Sequence, residues 1–393
     1  VEFVLKEPNI DAISHIQHLV ILPKSRGLTE ESVAAFNSNP VGTGPYKVKD
    51  FVVDQYWELE AWEDYRDGMA RPKYLTIRYV PEPSSRFAGL LTGELDIIEA
   101  PAPEHLREIE KNPDLAVDTV KGCTEFLYIL NWYKPPYNNP LVRQALNYAI
   151  DRSAIVDQIL EGHGIPLPNF IYGTWTGAIA EMEPYPYDPE RARQLLAEAG
   201  YADGFDCEIV CTSGETMKDL EIAQAIQAYL ADVGIRATLS PVETPVRFGR
   251  YFEGDFEILL DYWEFSAHSP ADPVKFYLRF YPFMVEAGGG VEAIPEDIAE
   301  IYTLWQEVVG EPDPTEQLAI FRQINQLTYD AATSVLLYGS DWVRPYNKAK
   351  MGKWEAICSY MVGYVRYYDY RALYPADRAI EWEWPYQGQF PAE

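Results

Sequence analysis

"YDPERARQLLAEAGYADGFDCEIVCTSGETMKDLEIAQAIQAYLADVGIRATLSPVE", residues 187–243, decides the fold class. Asp188 stands where a helix N-cap belongs, Pro189 suits the first helical position, and Glu190 complements the positive end of the helix dipole. Ala192, Leu195, Leu196 and Ala199 recur at helical spacing, and Gly200 ends the helix. "DCEIVCT" from Asp206 follows as a strand, "DLEIAQAIQAYLADVG" as a helix closed by Gly234, and "IRATLSPVE" as a second strand. Strand, helix and strand in that order predict an α/β lobe with some parallel pairing, since parallel neighbours need a crossover connection.

Working outward, "DFEILLDYW" is a further strand downstream. Upstream, "FLYILNW" (residues 126–132) is a continuous apolar run, the mark of a buried strand. After the turn "KPPYNNP", Pro140 opens a helix with Val142, Ala145, Leu146, Ala149 and Ile150 on one stripe, and Asp151 breaks it in two. Nearer the start, "VEFVLKEPN" and "YLTIRYVPE" alternate as strands, the latter expected to be buried in a sheet. "SSRFAGLLTG" is a short helix capped by Ser84 or Ser85, with Phe87, Leu90 and Leu91 on one face and Gly93 at its end. "PEHLREIEKNPD" is another short helix. Towards the end come a helix in "PTEQLAIFRQINQLTYDAA", a buried strand in "TSVLLYGSDW", a loop at "AGGG" (residues 287–290) and a tail, "IEWEWPYQGQF", laid over another domain.

The chain's 393 residues suit two or three domains of ordinary size, and 47% hydrophobic content places it among folded globular proteins. A formal net charge of −29 argues against nucleic acid and against an anionic membrane surface as partners. No run of 18 apolar residues occurs. Cys207 and Cys211, four apart on one strand, lie about 13 Å from each other, so they neither pair nor share a metal. Cys123 and Cys358 complete a set read as free thiols. His15 and His18 in "SHIQH" form a lone helical pair with no third ligand near them, which is weak support for a metal. The sequence carries no metalloprotease helix, nucleophile elbow or dithiol motif, and its many carboxylate pairs are uninformative without a pocket. No cofactor is expected.

"VGTGPYKV" (residues 41–48) has two glycines, but Pro45 lacks the N–H that a phosphate cradle needs. It is a tight turn entering a strand at Tyr46. The unusual stretch is "LLDYWEFSAHSPADP" (residues 259–273), which sets Tyr262, Trp263, Glu264 and Phe265 straight after a buried strand. Ligand sites in α/β folds gather at strand ends and are lined by aromatic groups. The same residues also suit an aromatic loop packed on its own domain. Trp132, Tyr133 and Trp175 are further candidates, each at a strand end or in a Gly/Pro-flanked loop.

"NPVGTGPYKV", "LTGELDII", "LNWYKPPYNNPLVRQALNYAIDRSAIV", "YDPERARQLLAEAGY" and "IQAYLADVGI" resemble, in that order, the extracytoplasmic solute-binding proteins of ABC importers, the peptide/nickel-binding family 5. The resemblance implies an α/β, two-lobed periplasmic-binding-protein-like fold of mixed sheets flanked by helices, hinge-linked around a ligand cleft. It assigns residues 1–122 to lobe I, 123–340 to lobe II and 341–393 to a C-terminal return to lobe I. It implies a non-enzymatic subunit at the periplasmic or extracellular face of the cytoplasmic membrane, either free or lipid-anchored there. This subunit captures a short peptide or similar polar solute for an ABC permease, and a further N-terminal segment of the same protein completes it. An oligosaccharide is the alternative solute, and a glycoside-processing enzyme or a scaffold the alternative class. Peptide binders of the family place an Asp ahead of an Asp-Pro pair to neutralise the peptide's amino group. Here Asp272-Pro273 is present, but Ser269 holds the earlier position, a departure from the pattern for a free α-amino group, and spacing alone does not assign Glu264 as its substitute.

Overall fold

The computed structural model describes residues 3–10, 12, 21, 23, 24, 27, 29–66, 68–70, 72–99, 101–172, 177–213, 216, 218–264 and 294–351. The expectations for His15, His18, Trp175, Asp272, "AGGG" and the tail fall outside them. The chain divides into two compact units. The smaller comprises Val20–Thr119, Val343–Ile357 and Tyr367–Glu393, and the larger comprises Val1–Leu19, Val120–Trp342 and Cys358–Arg366.

In the smaller unit, α1 (Glu30–Ser38) is capped by Thr29, whose hydroxyl accepts from the Ser32 amide at 3.3 Å. An antiparallel meander follows, with β1 (Tyr46–Val52), β2 (Tyr56–Ala61) and β3 (Tyr74–Arg78) in that order. The "GTGPY" turn leads straight into β1, and the Tyr46 hydroxyl donates to the Pro72 carbonyl at 2.8 Å. β3 lies where the alternation places it, but it is not the buried strand expected: Tyr74 is 58% and Ile77 41% exposed. Alternation reports a strand, whereas burial depends on what else covers the sheet. The apolar cluster of this unit instead gathers Leu90 of α2 (Pro83–Thr92), Leu106 and Ile109 of α3 (Pro103–Lys111), and Ile98, Leu115 and Val343. α2 starts at a proline, with no side-chain cap from Ser84 or Ser85, and it buries Leu90 while Leu91 faces solvent. Phe3, Val4 and Leu5 are exposed and form no strand.

The larger unit is built on a six-stranded mixed sheet in the order β5-β9-β4-β8-β6-β7. Its strands are β4 (Leu115–Leu130), β5 (Gly164–Pro166), β6 (Asp206–Cys211), β7 (Arg236–Pro241), β8 (Ile258–Glu264) and β9 (Ser334–Asn347). β6 runs parallel to β7 and to β8, whereas β4 pairs antiparallel with β8. The helices are α4 (Pro140–Tyr148), α5 (Arg152–Ala154, continued by a π-helical turn at Ile155–Ile159), α6 (Pro189–Glu198), α7 (Asp219–Asp232), α8 (Thr244–Glu253), α9 (Glu296–Gly310) and α10 (Pro314–Asp330). Asp188 caps α6 by accepting from the Arg191 amide at 2.9 Å, and Asp151 caps α5 by accepting from the Ala154 amide at 2.9 Å. The five residues of the Val142–Ile150 stripe are all buried, as their spacing predicts. Cys207 and Cys211 are free and buried.

The polar residues of "LVRQALNYAIDR" are buried too, and they fasten α4 and α5 to the segment around β9. Arg143 Nε donates to the Ala331 carbonyl at 2.9 Å, Asn147 Nδ2 to Ser334 O at 3.0 Å, and Arg152 Nη2 to Asn147 Oδ1 at 2.6 Å. Such groups are tolerated inside because each meets a partner.

Two glycines meet after α6 and α7. Gly204 has φ +70°, and a Cβ added there would sit 1.8 Å from the Gly234 carbonyl oxygen. Gly204→Ala is therefore expected to cost about 2–5 kcal/mol, from the left-handed backbone plus an overlap that the β6–β7 crossover cannot relieve locally. Urea unfolding checks it, and a loss below about 1 kcal/mol counts against this packing.

Candidate ligand site

Because β6, β7 and β8 are parallel, their C-terminal ends share one edge of the sheet. The N-terminal half of the β4 pairing joins them there, since Thr124, Glu125 and Phe126 face Glu264, Trp263 and Tyr262 across the β4–β8 ladder. This is the edge at which open α/β sheets hold ligands.

Tyr262 stacks on Phe126 at 5.7 Å, and Phe126 stacks on Tyr338 at 4.7 Å, giving a three-ring ladder across β8, β4 and β9. The Arg247 guanidinium lies 5.3 Å from the Tyr262 ring centre and 4.5 Å from that of Phe248. Arg247, on α8, forms an ion pair with Asp261 in which both side chains are 2% exposed. Asp261 Oδ1 also accepts from the Tyr262 amide at 2.9 Å, so the pair fixes the backbone just where the aromatic stretch begins. At the neighbouring strand end the Thr212 hydroxyl donates to Asp219 Oδ2 at 2.8 Å, tying β6 to the start of α7.

Glu125 is enclosed here too, at 1% exposure, and the Tyr172 phenol is its polar partner, outside tight hydrogen-bond geometry. Burial pushes its carboxyl well above the usual carboxylate range, and the Tyr172 phenol opposes the shift. The folded chain thus holds this proton to higher pH than the unfolded chain, where Glu titrates near about 4.3. The associated stability is complete below that value and is lost as pH rises through the folded pKa. Glu125→Gln is expected to melt with the parent at pH 4 and above it at pH 7. Equal melting temperatures at both values would contradict this.

The structure brings Tyr262, and the backbone of Trp263 and Glu264, to this edge; the side chains of the last two lie outside the described residues. It does not bring Trp132 and Tyr133 there. They follow the other end of β4, about 20 Å away along a strand of this length. Trp132 is 3% exposed and its indole donates to the Thr333 carbonyl at 2.6 Å, which makes it a packing residue. Tyr133 is part-buried against the same core, and burial pushes its phenol up to about 12. Glu125 and Arg247 escaped the sequence reading. The one visible hint was an acid at the mouth of an apolar strand.

Among the described residues, no group of three His, Cys, Asp or Glu side chains is placed to hold a metal ion. No helix among them is long and apolar enough to cross a membrane.

Residues 1–282 match the family described as bacterial extracellular solute-binding proteins, family 5 Middle. The chain belongs to that family. Among its relatives, heme-binding protein A of Haemophilus influenzae is 30% identical over 302 residues, covering 75% of this chain and 54% of the relative. The dipeptide-binding protein of Escherichia coli is 24% identical over 326 residues, covering 80% of this chain and 58% of the relative. The chain therefore spans somewhat more than half the length of these curated relatives. Among solved structures, the periplasmic binding protein DppA of Helicobacter pylori, in complex with the peptide STSA, superposes with a TM-score of 0.74 at 26% identity. That superposition covers 90% of this family 5 chain and 69% of the other. The fold is the α/β, two-lobed fold of the periplasmic binding proteins, as the sequence motifs imply.

Proposed function

We propose that this chain belongs to the solute-binding component of an ABC importer, which captures a short peptide or a similar small polar solute outside the cytoplasmic membrane and delivers it to a permease. The observation that carries the proposal is the family match over residues 1–282. The peptide complex of the H. pylori relative and the dipeptide-binding name of the E. coli one support the solute class. The larger unit serves as lobe II, near the 123–340 span, and its β8 edge carries the solute contacts. The role is capture without turnover, so affinity, and not rate, is what the site residues set.

Native mass spectrometry of protein purified without denaturation tests the proposal. A retained small polar solute that persists unchanged on incubation is expected; conversion of that solute would point to an enzyme. Trp263, across the ladder from Glu125, is expected to be an anchor: Trp263→Ala should weaken solute binding by about 2 kcal/mol or more, roughly thirtyfold. Unchanged affinity would remove Trp263 from the site.

A further inference from the structure

We propose that Tyr172 is a solute-contact residue at the β8 edge and that Asn325, on α10, is the residue that positions it; the assignment rests on the solute-binding reading above. Asn325 is 0% exposed, on a helix face that otherwise buries Ile320, Phe321, Ile324 and Thr328. A buried amide is costly unless its hydrogen bonds are made. Asn325 makes them with one segment far from it in sequence, residues 169–177. Its Nδ2 donates to the Ile171 carbonyl at 2.9 Å and to the Gly177 carbonyl at 3.1 Å. Its Oδ1 accepts from Asn169 Nδ2 at 2.8 Å, and the same Nδ2 donates to Thr328 Oγ1 at 2.7 Å. Gly177 lies flat on the same helix face: at its φ of +89° a Cβ would sit 2.5 Å from the Cβ of Phe321, one turn before Asn325.

A leucine would serve the packing of α10 as well, but it would leave the Ile171 and Gly177 carbonyls without these donors. The amide is therefore explained by the segment it clamps and not by the helix that carries it. That segment brings Tyr172 to the sheet edge. Its side chain is part-buried against the core, and its phenol meets Glu125. Glu125 stands on β4 opposite the last turnings of β8, at the edge where β6, β7 and β8 end. Tyr172 is thus held through its backbone by Asn325 and at its hydroxyl by Glu125, on the side where open α/β sheets take ligands. A ring fixed in this way loses little further freedom on binding, so more of its contact energy appears as affinity. Its amphipathic surface fits the amide plane or apolar face of a small polar solute.

The test is calorimetric titration of the full chain with trialanine, with melting temperatures as the check on folding. Tyr172→Leu, which keeps an apolar group against the core, is expected to weaken binding roughly tenfold or more. Asn325→Leu should weaken it by about threefold or more, and the double variant should bind within about twofold of Tyr172→Leu, because Asn325 acts through Tyr172. A merely structural Asn325 would lower the melting temperature and leave the affinity of the folded chain alone, or would add its loss to that of Tyr172→Leu. Either result overturns the positioning role. Unchanged trialanine binding in Tyr172→Leu overturns the contact while leaving the peptide-binding function standing. A parent that binds no trialanine defeats the short-peptide reading and this assignment with it. If Tyr172→Leu does not fold, Tyr172→Phe, which frees the ring from Glu125, should weaken binding about threefold, and unchanged affinity there overturns the contact. If Asn325→Leu does not fold, Asn325→Ser takes its place, and failure of both to fold makes Asn325 structural and overturns its positioning role.

Discussion

Arg247→Met is expected to destabilise the protein by about 3–5 kcal/mol, the cost of leaving one charge of a buried pair without the other. Both side chains are 2% exposed, so water cannot take the guanidinium's place beside Asp261. The Tyr262 amide still donates to Asp261 Oδ1, but a neutral donor does not offset a full charge. The double variant Arg247→Met/Asp261→Asn should recover much of the loss, because it removes the stranded carboxylate as well. Denaturant unfolding of the parent, both single variants and the double variant gives the coupling directly. Additive losses would mean that the pair contributes nothing as a pair. The effect reaches the site, since the same guanidinium lies against the Tyr262 ring and the same carboxylate holds the Tyr262 backbone.

Trp132→Ala is expected to cost about 3–5 kcal/mol, in the range for deleting a large enclosed aromatic side chain. Trp132→Phe keeps most of the ring volume but strands the Thr333 carbonyl, which accepts the indole N–H at 2.6 Å, so about 1–3 kcal/mol is expected there. Solute affinity of the folded phenylalanine variant should stay within twofold of the parent. A large drop in affinity with stability intact would return Trp132 to the ligand site and contradict its place in the core.

The elements that were legible in sequence are those whose caps and periodicity agree with their packing. Asp188-Pro189 starts α6, Asp151 interrupts the helix where α4 gives way to α5, and the β6–α7–β7 crossover is parallel as its order demands. α8 was not legible because its pattern is inverted. Val246 and Phe252 face solvent while Arg247 and Tyr251 are buried, so the apolar stripe points the wrong way. A buried ion pair produces that inversion, and no hydropathy pattern contains it. The aromatic stretch at the end of β8 was legible as such in the sequence. Glu125 was not, since an acid at the start of "EFLYIL" reads as the solvated end of a strand. Trp132 misled for the opposite reason: an indole beside a turn looks the same in sequence whether it faces a solute or a carbonyl.

The smaller unit is written in the chain in separate pieces, with the larger unit's Val120–Trp342 inserted between Val20–Thr119 and Val343–Ile357. Val343 belongs to the same apolar cluster as Leu90, Ile98, Leu106, Ile109 and Leu115, and the Pro345 carbonyl accepts from the Ile98 amide at 3.0 Å. During synthesis that cluster has no final member until more than two hundred residues after Leu115 have been made. The inserted segment, by contrast, carries its own sheet and nearly all of its core in one stretch. Chain order therefore sets the order of assembly: the later-encoded unit is able to close first, and the earlier-encoded one waits with its apolar helix faces uncovered.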